Sequence, residues 1–352
     1  MSPPPPLIEP RKSGLCMPED EENWRELVAD LREGDCALFL GSGCSVRDYG
    51  TWKQMVERVA AAAQMEVTED LRPIDYPALL DLCRETMGEN AYRDSLESIL
   101  TPNGKEPYRP IHRAMIQAAF ASYVTTNYDS SLENADCLHP KMLPAESVSS
   151  WPNDTLRPTK LRTRGVFHVH GRAYAEDGTC LLPNIVATDK DFKAAYDRGD
   201  VTSTLRTLFS DLSVLFVGFS SEDGLLERVI REHLGPYEDN LSQGPHPPEN
   251  EKDEVKYYVL RDVCIRKWRV SLASGEEVPP TEVEAVSGHE WDAARVEATK
   301  WFQHPPWKFE TRVRPIVYAR REDDVLHDAL TSLMNQLQQT AGCAAVDVGG
   351  TP

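Results

Sequence analysis

The sequence has no pair of cysteines at C-x-x-C spacing and no run of about 18 consecutive apolar residues. The first absence removes the common structural zinc motifs, and the second removes an obvious membrane-spanning helix. The eight cysteines (16, 36, 44, 83, 137, 180, 264 and 343) are scattered and outline no disulfide framework, so a reducing cytoplasm is the simplest compartment. No signal peptide is visible at the start, and a soluble, unexported chain is expected. Positive charge is scarce: 38 Lys and Arg stand against 57 Asp and Glu, a net charge of −19. No general field therefore draws nucleic acid or an anionic membrane. An anionic ligand would depend on backbone amides and a few local cations.

What the chain does have is the stretch Leu38-Phe39-Leu40-Gly41-Ser42-Gly43-Cys44-Ser45. Three large apolar residues running into two glycines describe a buried parallel strand that ends in a tight turn. Such a turn brings backbone N–H groups together and suits a phosphate. Taken alone the stretch is a weak signal, and a plain strand-to-helix turn of any α/β protein is the bland reading. The dinucleotide fingerprint fails here, because Val46 takes the third glycine position and no acidic strand end follows about 20 residues on.

Taken in order, residues 1–19 are proline-rich and read as a disordered tail. Trp24, Leu27, Val28 and Leu31 then share one helical face, and Gly34 ends that helix before strand Cys36–Leu40. A helical insertion over about residues 51–120 follows, with apolar faces at Met55, Val56, Val59 and Ala60, at Leu79, Leu80, Cys83 and Met87, at Tyr92, Leu96, Ile99 and Leu100, and at Ile111, Ala114, Met115 and Ala118. Ala121–Thr125 reads as the next strand and runs into Thr126-Asn127-Tyr128-Asp129, with a short helix over Ser130–Ala135. Residues 137–164 read as irregular. Gly165–Gly171 reads as a strand, 188–211 as two helices broken at Gly199, and Ser213–Val217 as a strand entering Gly218-Phe219-Ser220-Ser221. Helix Asp223–His233, an acidic loop over 235–254 and strand Val255–Leu260 come next. Residues 262–310 resist assignment, although Trp268, Trp291, Trp301 and Trp307 fall there. A final helix carries Leu326, Leu330, Leu333, Met334 and Leu337.

Strands alternating with helices predict an α/β fold, a Rossmann-like parallel sheet with helices on both faces and an inserted helical module. Ligands in such sheets bind beyond the carboxyl ends of the strands, where four suggestive loops collect. The expected division is a tail at 1–19, a binding domain at 20–262, an extension packing on the core at 263–340, and a tail at 341–352.

Each candidate residue has a functional and a bland reading. Asn127 can hold a ribose hydroxyl or carboxamide and position a water, or it simply forms a turn. Asp129 lies near the same pocket, or caps the next helix. His170 can accept a proton from a hydroxyl or a water. With His168 it could also form a two-histidine metal pair, but third and fourth ligands are lacking. Ser220 or Ser221 ahead of Asp223 can meet a phosphate or ribose oxygen, or cap a helix.

Gly41-x-Gly43-x-Ser45, Thr126-Asn127-Tyr128-Asp129, His170-Gly171 and Gly218-Phe219-Ser220, in this order, resemble the sirtuins. The inserted helices and the continuation to Asp223 look most like divergent sirtuin-like domains of prokaryotic anti-phage defence proteins. The resemblance covers about residues 34–262. It implies that Asn127 sits at the nicotinamide ribose and that His170 is the general base. Gly41, Ser42, Gly43, Ser45, Arg47, Thr126, Asp129, Gly218, Ser220 and Asp223 would hold NAD. The sequence also departs from the sirtuins. It has no zinc module, so no zinc is expected, and 46–50 does not reproduce their cofactor loop, leaving Arg47 as the local cation.

The resemblance therefore implies an NAD+ glycohydrolase that releases nicotinamide and ADP-ribose and acts in abortive infection. Such an enzyme would be a cytoplasmic homo-oligomer, switched on by a separate partner such as a HerA-like ATPase. It would bind NAD+ but neither nucleic acid nor membrane. Two alternatives stay open: an NAD-dependent protein deacylase, disfavoured by the missing zinc module, and a non-catalytic sensor of NAD or ADP-ribose.

Overall fold

Strand β1 (Cys36–Leu40) is buried along its whole length, and its side chains alternate between two separate cores. Ala37 and Phe39 join one cluster, while Cys36, Leu38 and Leu40 join the other. Strands apolar on both faces need cover on both faces, which a parallel sheet with crossover helices provides. The computed structural model describes residues 20–137, 147–219, 256–265, 313–321 and 328–341, apart from 69, 102–106, 175–179 and 198, together with a few short pieces beyond residue 142.

Before β1 runs α1 (Glu21–Glu33), which buries Trp24, Leu27, Val28 and Leu31 and ends at Gly34 in the left-handed region, φ 76°. After it come the short α2 (Val46–Tyr49), then α3 (Trp52–Ala62), α4 (Tyr76–Met87), α5 (Glu89–Leu100) and α6 (Pro110–Gln117). Thr51 starts α3 with a capping box, in which it accepts from the Gln54 N–H while Gln54 Oε1 accepts from its own. The apolar positions expected on α3, α4 and α5 close a third core, while Ile111, Ala114, Met115 and Ala118 at α6 join the core that holds α1.

Next follow β2 (Tyr123–Thr125), α7 (Ser131–Cys137), β3 (Val148–Ser150), β4 (Val166–His168), α8 (Asp189–Asp197), α9 (Asp200–Asp211) and β5 (Ser213–Val217). The described chain ends with β6 (Tyr257–Ile265), the small hairpin strands β7 (Arg269–Val270) and β8 (Glu277–Val278), then β9 (Val313–Arg321) and α10 (Asp328–Ala341). The main sheet has the order β3-β4-β2-β1-β5-β6-β9, and its pairings are parallel throughout. The predicted Rossmann-like α/β sheet is therefore present.

Two strands depart from the sequence reading. β3 lies inside 137–164, read above as irregular, because three residues paired to β4 give too short a pattern to see. β9 (Val313–Arg321) has no simple alternation to mark it, because Pro315 sits near its start and Arg320 and Arg321 follow one another at its end; it pairs along β6 from Tyr257 to Ile265. The expected boundary at residue 262 falls inside β6. α10 packs Leu330, Leu333, Met334 and Leu337 into the core shared with α1 and α6. The tail 1–19, the helix Asp223–His233, the loop 235–254 and the four late tryptophans lie outside the described residues. Among the described residues no helix is long and apolar enough to cross a membrane.

The strand order reverses at β1, which has β2 on one side and β5 on the other. That is the switch point of the sheet, and the crevice beyond its carboxyl ends is where such folds bind ligands.

Candidate active site

At the carboxyl ends of β1 and β2 lies a cavity of about 60 Å³. Ser42 and Ser45 reach it from the β1 turn, Thr126, Asn127 and Asp129 from the β2 turn, and Trp52 from the helical module. Tyr49, Tyr128, Met55 and Leu100 complete the apolar part of the wall. Asp129 is the one charged residue among those lining it, so the cavity suits a cationic or neutral aromatic group better than a phosphate.

Asn127 is pinned on one side only. Its Nδ2 donates to the Gly41 carbonyl at 3.1 Å and its N–H donates to Thr125 Oγ1 at 2.9 Å. Its Oδ1 is buried with no hydrogen-bond partner among the described residues. A buried amide oxygen left unpaired is costly unless a ligand or water supplies the donor. Asp129 answers both readings given to it: it lines the cavity, and its Oδ1 accepts from the Ser131 N–H at 3.1 Å, at the start of α7. Burial, with Asp129 nearby, pushes the Cys44 thiol up to about 12, so Cys44 stays a neutral core residue. Burial likewise raises Tyr49, helped by Asp129 and Asp48, and its phenol remains protonated.

The three glycines expected to cradle a phosphate have a different immediate cause. A Cβ on Gly41 would stand 2.6 Å from the Gly218 carbonyl oxygen, and one on Gly43 would stand 2.7 Å from it. Gly218 itself has φ +78°, and its Cβ would meet Cys44 Sγ at 2.7 Å. The amides of Gly41 and Gly43 donate to Val217 and Gly218 carbonyls at 2.9 and 2.8 Å. These glycines let the β1 and β5 turns touch backbone to backbone, and the N–H groups of Gly41 and Gly43 are used within the protein. Ser220 and Asp223 lie outside the described residues.

Arg47 does not reach the cavity. It lines an adjoining groove of about 480 Å³ with Arg58, Gln54 and Thr101, and Tyr49 and Gly50 form the wall common to both spaces. The α2 segment in that wall is tied down by Asp48, whose carboxylate receives both Nε and Nη2 of Arg109. Two residues not anticipated from sequence sit behind it. His112 accepts the Arg109 N–H at Nδ1, 3.0 Å, which leaves Nε2 to donate to Ser45 Oγ at 3.5 Å. Trp52 lines the cavity with its ring 6.5 Å from that of Tyr128. A tryptophan just after a capping threonine was the available sign of it. His112 gave none, since a histidine on a helical face has no pattern of its own.

His170 is fully buried and lies outside the residues lining the cavity. Its ring packs edge-on to Phe192 at 5.1 Å, and Nε2 is 2.8 Å from the Tyr196 hydroxyl, while Nδ1 has no partner among the described residues. Burial lowers its pKa to about 3, so the imidazole is neutral, an acceptor and a weak base. His168 bonds instead to Glu133 and to the Asn127 carbonyl, so the two histidines have separate partners. Among the described residues no group of three His, Cys, Asp or Glu side chains is placed to hold a metal.

Residues 121–262 match the family model of the SIR2-like domain, a span that holds three of the four motifs, Gly41-x-Gly43-x-Ser45 lying before it. The chain is 25% identical over 224 residues to the NAD(+) hydrolase ThsA of Acinetobacter baumannii, covering 62% of this chain and 43% of that one. It is 23% identical over 261 residues to the NAD(+) hydrolase ThsA of Cytobacillus dafuensis, covering 69% and 50%. Against the defense-associated sirtuin 2 of Bacillus subtilis it is 23% identical over 206 residues, covering 56% and 19%. The chain thus spans half or less of the length of these curated relatives.

Proposed function

We propose that this divergent sirtuin-like chain is an NAD+ glycohydrolase, with the cavity at the β1 and β2 ends receiving the nicotinamide riboside. The single observation that carries the reading is Asn127, which lines an aromatic, acid-bearing cavity beyond the carboxyl ends of β1 and β2 with its buried Oδ1 unpaired. The nicotinamide ring of NAD+ is cationic and flat. Trp52, Tyr49 and Tyr128 offer it aromatic walls, and the Asp129 carboxylate offers it a countercharge. Arg47 and Arg58, across the Tyr49 wall, are the cations toward which the pyrophosphate would extend. Ser42, Ser45 and Thr126 would meet ribose oxygens, and Gly41, Gly43 and Gly218 let the turns approach closely enough to shape the pocket. Ser220 and Asp223 would complete the adenosine end. At about 60 Å³ the cavity is smaller than typical ligand pockets of about 300 Å³ and up, so entry of the dinucleotide requires the α2 wall to move and join cavity to groove.

In cleavage, the bond between the ribose carbon and the ring nitrogen lengthens and positive charge passes from ring to ribose. Asn127 Oδ1 would orient the ribose or the incoming water, while His170, buried behind the cavity wall, would accept a hydrogen bond from a ribose hydroxyl or that water only once that wall opens. Water supplies the new C–O bond, nicotinamide leaves neutral, and one proton goes to solvent. The names of the relatives and the resemblance together support a role in anti-phage defence. We place the enzyme in the cytoplasm as a homo-oligomer that waits on a separate partner, such as a HerA-like ATPase.

The test is nicotinamide release from NAD+ by the protein alone and with the product of its neighbouring gene. Asn127→Ala and His170→Ala should each lower the rate at least about 100-fold. An inactive wild type under both conditions, or variants as active as wild type, would overturn the reading.

A further inference from the structure

We propose that His168 is a positioning residue for Asn127: its imidazole joins the Glu133 carboxylate to the main-chain carbonyl of Asn127 and fixes the turn that aims the Asn127 side chain. This rests on the reading that Asn127 acts on the nicotinamide riboside.

His168 closes β4 with its side chain 1% exposed, and Glu133 on α7 is 3% exposed. Nε2 is 2.8 Å from Glu133 Oε1, and Nδ1 is 3.1 Å from the Asn127 carbonyl oxygen. Both partners are acceptors, so the ring makes both bonds only when each nitrogen carries a hydrogen. Burial would raise the Glu133 pKa, but His168 and then Arg172, at 3.3 Å, outweigh it and hold the carboxyl below the ordinary carboxylate range. An ionised glutamate is thus kept behind the histidine, on the side away from Asn127.

The turn it supports is held residue by residue. The Thr126 N–H donates to the Leu40 carbonyl, the Asn127 N–H to Thr125 Oγ1, the Tyr128 hydroxyl to the Val186 carbonyl, and Asp129 accepts from Ser131. The Asn127 carbonyl has His168 as its partner. The bond to the ring holds the Asn127 carbonyl, and with it the backbone torsion at the Cα from which the Asn127 side chain reaches the Gly41 carbonyl. Groups one shell behind a reacting residue commonly set its geometry in this way, and a displacement near 1 Å costs about 100-fold in rate.

Two substitutions separate positioning from packing, because an asparagine amide nitrogen overlays Nδ1 of histidine and a glutamine amide nitrogen overlays Nε2. His168→Asn keeps the donor to the Asn127 carbonyl and drops Glu133. His168→Gln keeps Glu133 paired and drops the carbonyl. Melting temperature, amide hydrogen exchange over residues 126–129 and the kinetics of nicotinamide release are measured on both. The expected result is a crossing: the glutamine variant melts higher, yet exchanges faster at 126–129 and loses about 100-fold in kcat with KM within about threefold. The asparagine variant melts lower but keeps its protection, and kcat stays within about tenfold of wild type. If exchange and kcat follow melting temperature, with glutamine ahead of asparagine, His168 only packs and the proposal is wrong. A wild type that releases no nicotinamide would sink the proposed activity, while the exchange comparison would still decide the clamp.

Discussion

The Tyr196 hydroxyl lies 2.8 Å from His170 Nε2, on a ring with no exposed surface whose other nitrogen has no partner among the described residues. A histidine held this way is part of the core before it is part of any reaction, and its titration should appear in folding. Burial depresses its pKa to about 3, against an unfolded value near 6.5. The unfolded chain therefore takes up a proton that the native state refuses, and stability is lost as pH falls below about 6.5 toward 3.

Between pH 7 and pH 5 this costs the native state about 2 kcal/mol, which His170→Gln should not show. Urea unfolding of both proteins at the two pH values measures it. Equal losses in wild type and variant would mean that His170 is not buried neutral.

Glu133 works in the opposite sense. His168 and Arg172 hold its folded pKa below the unfolded value of 4.5, so its contribution is present above that pH and fades as the pH drops through the folded value. Glu133→Gln at pH 7 leaves His168 and Arg172 without their buried anion and should cost about 3–5 kcal/mol in denaturant unfolding.

The glycine contact between the two turns predicts a graded pair. Gly34→Ala meets open space and bears only the left-handed backbone, φ +76°, a cost of about 1–2 kcal/mol. Gly218→Ala bears a similar φ of +78° and also drives its Cβ to 2.7 Å from Cys44 Sγ and 2.8 Å from the Gly41 carbonyl oxygen. It should lose about 1–3 kcal/mol more, visible as a lower Tm.

Asp129→Asn preserves an acceptor for the Ser131 N–H while removing the charge from the cavity wall. Stability should stay within about 0.5 kcal/mol, and KM for NAD+ should rise about tenfold. A loss of stability with unchanged kinetics would assign Asp129 to the helix start alone.

Much of the site was legible in the chain because strand ends advertise themselves. Asn127 and Asp129 follow a short apolar run, and Ser42 and Ser45 follow a longer one, so a parallel sheet brings them to one edge whatever its details. Arg47 was legible as a cation but not as a resident of the neighbouring groove, since the wall formed by Tyr49 depends on how α2 is tied to Arg109. His112 and Glu133 were not legible at all. Each meets its partner, Ser45 or His168, across 67 or 35 residues of chain, and no local spacing encodes such a pair.

By itself the sequence determined the alternation of strands and helices, the inserted helical module and the faces its helices bury, because periodicity and turn residues act locally. Only the tertiary structure decided what the glycines and histidines do. Gly41, Gly43 and Gly218 are small because two backbones meet there. His168 and His170, two residues apart, end in different surroundings because the chain turns out of β4 between them: one faces a buried carboxylate, the other Phe192 and Tyr196. Which partner a buried polar group finds depends on elements far away in the chain, and packing settles it.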